Sequence, residues 1–430
     1  MDDKVTVDDK ATVDDKVTVD DGPTPNDPAP AHAPAAPSGA LGGIRILDLS
    51  RFIAGPMCAQ ILADMGAEVV KVERPGGEDA RLQGPFMDGE SLYPMAYNRN
   101  KSSITLDTRH PDAPDILEGL VAWADVLVEN YRPGTLSAMG FGWDRLHATY
   151  PRLIVTSLSG FGQTGPLAER ALFDPIAQAA SGLMSLTGDP DGPPMLVGTY
   201  IADHVAGLYG AIGTLVALIA RGMSGMGQRV DVASLDSLVS CLGTRPMAWL
   251  MLGERPRRQA SRDPYSAPAN VFPARDGHVY LHGGTDALFP RLCAAMGRPD
   301  LSADPRYREI ADRLANVEPL EAEIAAWTAT RTREETEGVL AAAGVPCSAV
   351  AGIDEVVASL QLRARDMFVE VSHAVLGRLV LTGIPVKLDA TPGTIRTGPP
   401  VAGEDNARVY GNLLGLDADA LAALSDSGAI

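Results

Sequence analysis

From Leu41 onward, short continuous apolar runs alternate with longer stretches of helical period, a pattern that predicts a parallel sheet covered by helices. IRILDL (residues 44–49) reads as a compact strand. AGPMCAQILADMG (54–66) reads as a helix, with Gly55 and Pro56 at its start and Gly66 at its end, and AEVVKVE (67–73) as the next strand. Together they make a βαβ unit. Further strands are expected in YNRNKSSITLD (97–107), DVLVENYRPG (125–134) and PRLIVTSLSG (151–160), with a helix near Asp112 to Ala124 between the first two. The longest helical pattern follows the loop PPMLVGTY and spans ADHVAGLYGAIGTLVALIA (202–220); Asp203 falls in its first turn, and no residue charged at neutral pH follows until Arg221. Free backbone N–H groups are expected to point at that carboxylate, either as an ordinary helix cap or as the setting of a functional group. After Asp236 an apolar helix is expected to run to Gly253. The basic, proline-containing stretch ERPRRQASRDPYS then marks a boundary.

The expected organisation is therefore a tail over 1–40, the first part of a large domain over 41–250, a linker over 251–268, a smaller α+β domain over 269–360, and a return segment over 361–430 that completes the large domain, with GIPVKLDATP as a further strand. At 430 residues the chain exceeds what one hydrophobic core usually supports, which favours this division. The first 22 residues repeat DDKVTV, DDKATV and DDKVTV and, counting Asp27, carry nine Asp against three Lys; a Pro/Ala-rich stretch follows. Such a tail is expected to be disordered, since three hexapeptide copies are too few to stack a β-helix.

Charge and cysteine content narrow the function. A net charge of −19 argues against nucleic acid as a partner, yet Arg99, Lys101, Arg109 and Arg132 are expected at the carboxyl ends of their strands and Arg51 and Arg74 at the first βαβ unit, suggesting a pocket for a polyphosphate. The Gly-Pro entry to the first helix could receive an anion, although its spacing is not GxGxxG, so a nicotinamide site is not indicated. Acidic residues stand where a secretory signal would need a basic and then an apolar stretch. Outside the tail the longest uncharged run, Val205 to Ala220, is shorter than the roughly 20 residues of a membrane span. Cys58, Cys241, Cys293 and Cys347 are scattered, suggesting neither a disulfide framework nor a zinc site. A cytoplasmic protein that needs no metal and binds no membrane is the expectation.

The segments GIRILDLSRFIAGPMCAQILADMGAEVVKVERPGGEDAR, YNRNKSSITLD, ADVLVENYRPG, SGFGQTGP, DPIAQAASGLMSLTG, GPP and GLYGAIGTLVALIARGMSGMGQRVDVA resemble the family III CoA-transferases, the CaiB/BaiF family, from about Leu41 to the C-terminus. The resemblance implies a Rossmann-like large domain with a smaller α+β domain, an interlocked homodimer, and coenzyme A as substrate with no tightly bound cofactor. It also implies transfer of CoA from an acyl-CoA to a carboxylic acid through a covalent aspartyl-CoA. Residue by residue, it implies Asp203 as nucleophile and Arg51, Phe52, Ala54, Arg74, Leu106, Arg109, Asn130 and Tyr131 as CoA contacts. Two departures stand out: Ala138 replaces a basic residue of some members, and the family's Gly-rich covering loop is missing, with His282, Gly283 and Gly284 as possible substitutes. The α-methylacyl-CoA racemases share the fold but pair a His with the Asp of a GHD motif. This chain reads ALFDP there, with Phe173 before Asp174 and His147 upstream, so transferase is the reading and racemase the alternative.

Overall fold

The computed structural model describes residues 39–430; the repeat tail expected to be disordered lies, except for its last two residues, outside them. Six strands form one sheet: β1 (Arg45–Asp48), β2 (Glu68–Glu73), β3 (Lys101–Thr105), β4 (Val126–Glu129), β5 (Ile154–Ser159) and β6 (Arg229–Ala233). Every neighbouring pair is parallel and the spatial order is β3-β2-β1-β4-β5-β6, a doubly wound arrangement. The order reverses between β1 and β4, and in such sheets that point opens a crevice beyond the carboxyl ends of the strands.

Strand alternation sorts the apolar runs onto two faces. Ile46, Val69, Val126 and Ile154 pack with Cys58 and Leu62 of α1 (Ala54–Asp64) and with Ala206, Ala211 and Ala217 of α4 (Ile201–Ser224). Their immediate neighbours Leu47, Val70, Leu127 and Val155 turn to the other face, against Leu117 and Leu120 of α2 (Ala113–Trp123) and Val409 and Tyr410 from the C-terminal stretch. Tyr410 Oη donates to the carbonyl of Thr105 at 2.7 Å, fastening that stretch to the sheet edge. Helices α1 and α4 approach closely because α4 presents glycine: a Cβ on Gly207 would lie 2.9 Å from the Ala54 carbonyl oxygen, and one on Gly210 3.1 Å from Cys58 Sγ.

A separate core, including Phe272, Val279, Leu281, Phe289, Leu292, Tyr307, Leu320 and Ile324, is built on a three-stranded antiparallel sheet of β7 (Ala269–Ala274), β8 (Gly277–His282) and β9 (Cys347–Ala349). Two local expectations are corrected. The helix expected from Asp236 to Gly253 is broken into Ser234–Ser240, Arg245–Met247 and a π-helical turn over Ala248–Leu252, because Gly243 adopts φ 60° and Pro246 follows it. GIPVKLDATP forms no strand; the antiparallel pair in this region is Phe368–His373 with Gly377–Thr382, ending just before it. Pro385 and Pro392 remove two of the amide donors a ladder would need there.

Candidate active site

The loop leaving β1 is held from below by buried charge. Asp48 is ion-paired with Lys101 at 2.9 Å and accepts from the backbone N–H of Ser50 at 2.9 Å and from its hydroxyl. Burial raises the Asp48 carboxyl, but Lys101 and Lys71 together outweigh that and hold it below its ordinary value. Lys71 donates to the Ser50 carbonyl at 2.7 Å and pairs with Glu78 at 2.9 Å; burial works against its charge, and Glu78, Asp48 and Glu73 more than compensate. Ser50 is thus clamped, and Arg51 and Phe52 leave the strand at a fixed angle. Phe52 takes φ 63°, and its N–H donates to Glu78 Oε2 at 2.9 Å. From across the switch point, Asn130 at the end of β4 grips the Arg51 backbone on both sides: its Oδ1 accepts from Arg51 N–H at 2.8 Å and its Nδ2 donates to Arg51 O at 2.7 Å.

Beyond these strand ends opens a cavity of about 210 Å³ lined by Arg51, Arg74, Leu106, Arg109 and Tyr131, with Asp79 among its acids. The Arg51 guanidinium lies 5.7 Å from the centre of the Tyr131 ring, and both Arg51 and Arg74 reach Asp79, at 3.5 and 2.6 Å. Arg109, its side chain 88% exposed, rests on Asp107 at 3.0 Å. Guanidiniums beside an apolar wall and an aromatic face suit a phosphorylated nucleotide. Five of the eight residues expected to contact CoA therefore share one cavity. The other three lie outside that lining: Asn130 fixes the Arg51 backbone, Ala54 is buried at the start of α1, and Phe52 packs edge-on against Phe173, ring centres 6.0 Å apart.

The six-cation cluster is corrected to three. Arg99 precedes β3 and Lys101 is its first residue, so in a parallel sheet they belong at its amino edge, and both are spent in buried ion pairs, Arg99 with Asp64 at 2.7 Å and Lys101 with Asp48. Arg132 lines a different hollow with Glu129 and Arg229. A cavity of about 950 Å³ also lies at the amino end of β2 and β3, beside Glu68, Lys101 and Arg396, and is lined by neither Asp203 nor any of the eight expected CoA contacts.

Phe173 leads directly to the second half of the site. The next residue, Asp174, opens α3 (Asp174–Ser181) and is fully buried. Its Oδ2 accepts from the N–H groups of Ala202 at 2.6 Å and Asp203 at 3.3 Å, while Oδ1 accepts from Gln178 Nε2 at 2.6 Å. The free N–H groups expected to point at Asp203 therefore point at Asp174, and Asp203 is not the cap of its helix. Its carboxylate makes no hydrogen bond among the described residues. Burial, and secondarily the charge of Asp174, push it up to about 7 from an ordinary 3.8. Around it stand Tyr93, Tyr97 and Tyr200, with Tyr93 6.3 Å from Tyr97 and 6.0 Å from Tyr200 between ring centres. The phenol of Tyr97 is raised to about 12, chiefly by burial and next by the charge of Asp203. Tyr97 Oη also meets His204 Nε2 at 3.2 Å.

Sequence reasoning missed Tyr93, Tyr97 and His204, because their meaning depends on the segment after β2 folding onto the first turn of α4, and Gln178, because its meaning depends on α3 lying across that turn. The racemase alternative is not supported: Oδ2 of Asp174 is occupied by the first-turn amides of α4 and Oδ1 by Gln178, and His147 is stacked on Trp143 with ring centres 4.8 Å apart. His282, Gly283 and Gly284 form a packed turn. A Cβ on Gly283 would lie 2.6 Å from Leu292, and one on Gly284 2.2 Å from the Ser266 hydroxyl.

A doubly wound sheet with arginines at its switch point and an unpartnered carboxylate nearby agrees with what known proteins report. The model of CoA-transferase family III matches residues 41–406. Succinyl-CoA–D-citramalate CoA-transferase of Chloroflexus aurantiacus is 38% identical over 387 residues, covering 89% of this chain and 96% of that protein. Acetyl-CoA:oxalate CoA-transferase of Acetobacter aceti is 39% identical over 357 residues, covering 83% and 90%. A crystal structure of a CAIB/BAIF family protein from Brucella suis aligns with a TM-score of 0.79 at 34% identity, across 87% of this chain and all of that one. The match extends from the strand that precedes the arginine cavity through the helix that carries Asp203 and on to the C-terminal stretch at the sheet edge, so the chain belongs to the family III CoA-transferases.

Proposed function

We propose that the enzyme moves CoA from a short acyl-CoA to a short carboxylic acid through a covalent aspartyl-CoA at Asp203. The observation that carries this reading is the state of that carboxylate: it is spared from capping by Asp174, unpartnered, and raised to about 7, which makes it more basic and a better nucleophile than an ordinary aspartate. An Asp203 oxygen attacks the thioester carbonyl, the C–S bond breaks, and a mixed anhydride and CoA thiolate result. The thiolate attacks Asp203 Cγ, releasing the first acid and leaving the aspartyl-CoA thioester. The acceptor carboxylate then attacks Cγ and expels the thiolate, which takes the new acyl group from the second anhydride and restores the Asp203 carboxylate. The four steps balance without a net proton. The arginine cavity, with Asn130 fixing Arg51, is suited to the nucleotide end of CoA. The relatives' names pair CoA with citramalate and oxalate, which supports a short polar acid as acceptor.

Asp203→Asn is expected to lower turnover by several orders of magnitude, and hydroxylamine added with acyl-CoA to wild type should leave a hydroxamate on the peptide containing Asp203. A hydroxamate on another residue, or near wild-type turnover by the variant, overturns the mechanism.

A homodimer belongs to the same reading. Leu208, Ile212, Val216, Ile219 and Met223 form one stripe on α4, 46 to 81% exposed, and Trp249, Leu250, Met251 and Leu252 add a second apolar patch. α4 is long and apolar enough by length and composition to cross a membrane, but its other face is packed on α1 and the sheet. We infer that a second copy of the chain covers the stripe. The cytoplasmic placement rests on the sequence alone.

A further inference from the structure

His204 is the residue next to the proposed nucleophile, and its hydrogen bonds fix its tautomer. Its Nδ1 lies 2.6 Å from the Tyr200 carbonyl oxygen, which can only accept, so Nδ1 carries a proton. In the neutral ring Nε2 is then an acceptor, and Tyr97 donates its hydroxyl proton to it across 3.2 Å, with the two rings 5.8 Å apart. The imidazole is therefore held from both sides, by α4's own N-cap residue and by the loop preceding β3. The ionisable groups gathered at this corner are Tyr93, Tyr97, Tyr200, Asp174, Asp203 itself and, acting on Tyr93, Glu78. All of them are acids. No lysine or arginine acts on Asp203 among the described residues, and the one neighbouring charge that does is the negative Asp174. An acid carrying a second carboxylate would meet two aspartates and three phenols here, and the one side chain of this group able to become cationic is His204.

We propose that His204, positioned by Tyr97, holds the remote carboxylate of a short dicarboxylic acceptor while its other carboxylate faces Asp203. A protonated Nε2–H would turn from accepting to donating, which releases the Tyr97 hydroxyl as a second donor to the same carboxylate. His204 is then the group that selects dicarboxylates over monocarboxylates, and Tyr97 is a positioning residue. The inference rests on the transferase reading of Asp203.

The test uses the full-length enzyme with succinyl-CoA as donor and L-malate or 3-hydroxybutyrate as acceptor. In wild type, malate should be the better acceptor. His204→Gln still accepts from Tyr97 but cannot become charged; its malate KM should rise ten-fold or more relative to its 3-hydroxybutyrate KM. Tyr97→Phe should raise the malate KM several-fold with little change in the 3-hydroxybutyrate KM, and it serves if the Gln variant does not fold. Equal changes for both acids, an unchanged malate KM, or a wild type that prefers 3-hydroxybutyrate overturns the assignment. Failure of hydroxylamine to mark Asp203 in wild type would instead remove the transferase mechanism beneath it, so the two failures are told apart.

Discussion

Asp203→Asn should make the folded protein more stable at alkaline pH while it removes activity. In the folded chain burial and the Asp174 charge raise the Asp203 carboxyl from 3.8 to about 7. A group whose folded value is raised binds more protons folded than unfolded between those two values, so stability falls as pH rises through that window. Below the unfolded value there is no penalty, and above about pH 7 it is complete. The full rise corresponds to about 4 kcal/mol. Asp203 is only half-buried, and screening by the solvent that reaches it reduces this to about 2 kcal/mol. Asparagine has no charge to desolvate, and the helix cap is untouched because Asp174 supplies it. Urea unfolding at one fixed protein concentration should show the variant about 2 kcal/mol more stable at pH 8 and under about 1 kcal/mol more stable at pH 5. A capping Asp203 would give the opposite, a loss of a few tenths of a kcal/mol at every pH. A variant no more stable than wild type at pH 8, or one whose gain is the same at both pH values, would refute the argument.

Five of the six strands were legible because they fall in short runs separated by helical pattern, and period alone assigns Ile46 and Leu47 to opposite faces; β6, where Arg229 and Asp231 alternate with Val230 and Val232, was not. The loop after β1 and the arginines that follow β2 and β3 were legible for the same reason: a parallel sheet delivers all its strand ends to one edge. The same rule, applied with the strand direction in view, excludes Arg99 and Lys101, which stand at the amino end of β3. What period could not reveal is who caps α4. Asp203 and Asp174 are both acids at the start of a helix, and the choice between them depends on α3 lying across the first turn of α4, a contact between residues 28 and 29 positions apart. The Tyr97–His204 pair, 107 positions apart, is beyond local pattern altogether. Broken helices were hidden too, because the apolar residues of Ala248–Leu252 resemble core and are in fact exposed on a single chain.

Two further outcomes follow from the same geometry. Asp174→Asn retains an oxygen for the amides of Ala202 and Asp203 but sets a second amide against Gln178 Nε2, so it should cost about 1 kcal/mol; with its charge gone the Asp203 carboxyl falls, and the pH midpoint of hydroxamate formation should move down, so a midpoint that moves up or stays would contradict the electrostatic account. The apolar stripe of α4 tests the assembly. If a second copy covers it, Ile219→Glu places a charge in an apolar contact and, by two-fold symmetry, does so twice, forfeiting about 2 kcal/mol of burial per side chain before the cost of the charge. Interlocked subunits cannot part without opening their fold, so this loss should register as a melting temperature lowered by several degrees. Sedimentation should find wild type dimeric even at nanomolar concentration. A stable, active monomer of either protein would rule out interlocking, and a variant with wild-type melting temperature would leave the stripe uncovered in solution.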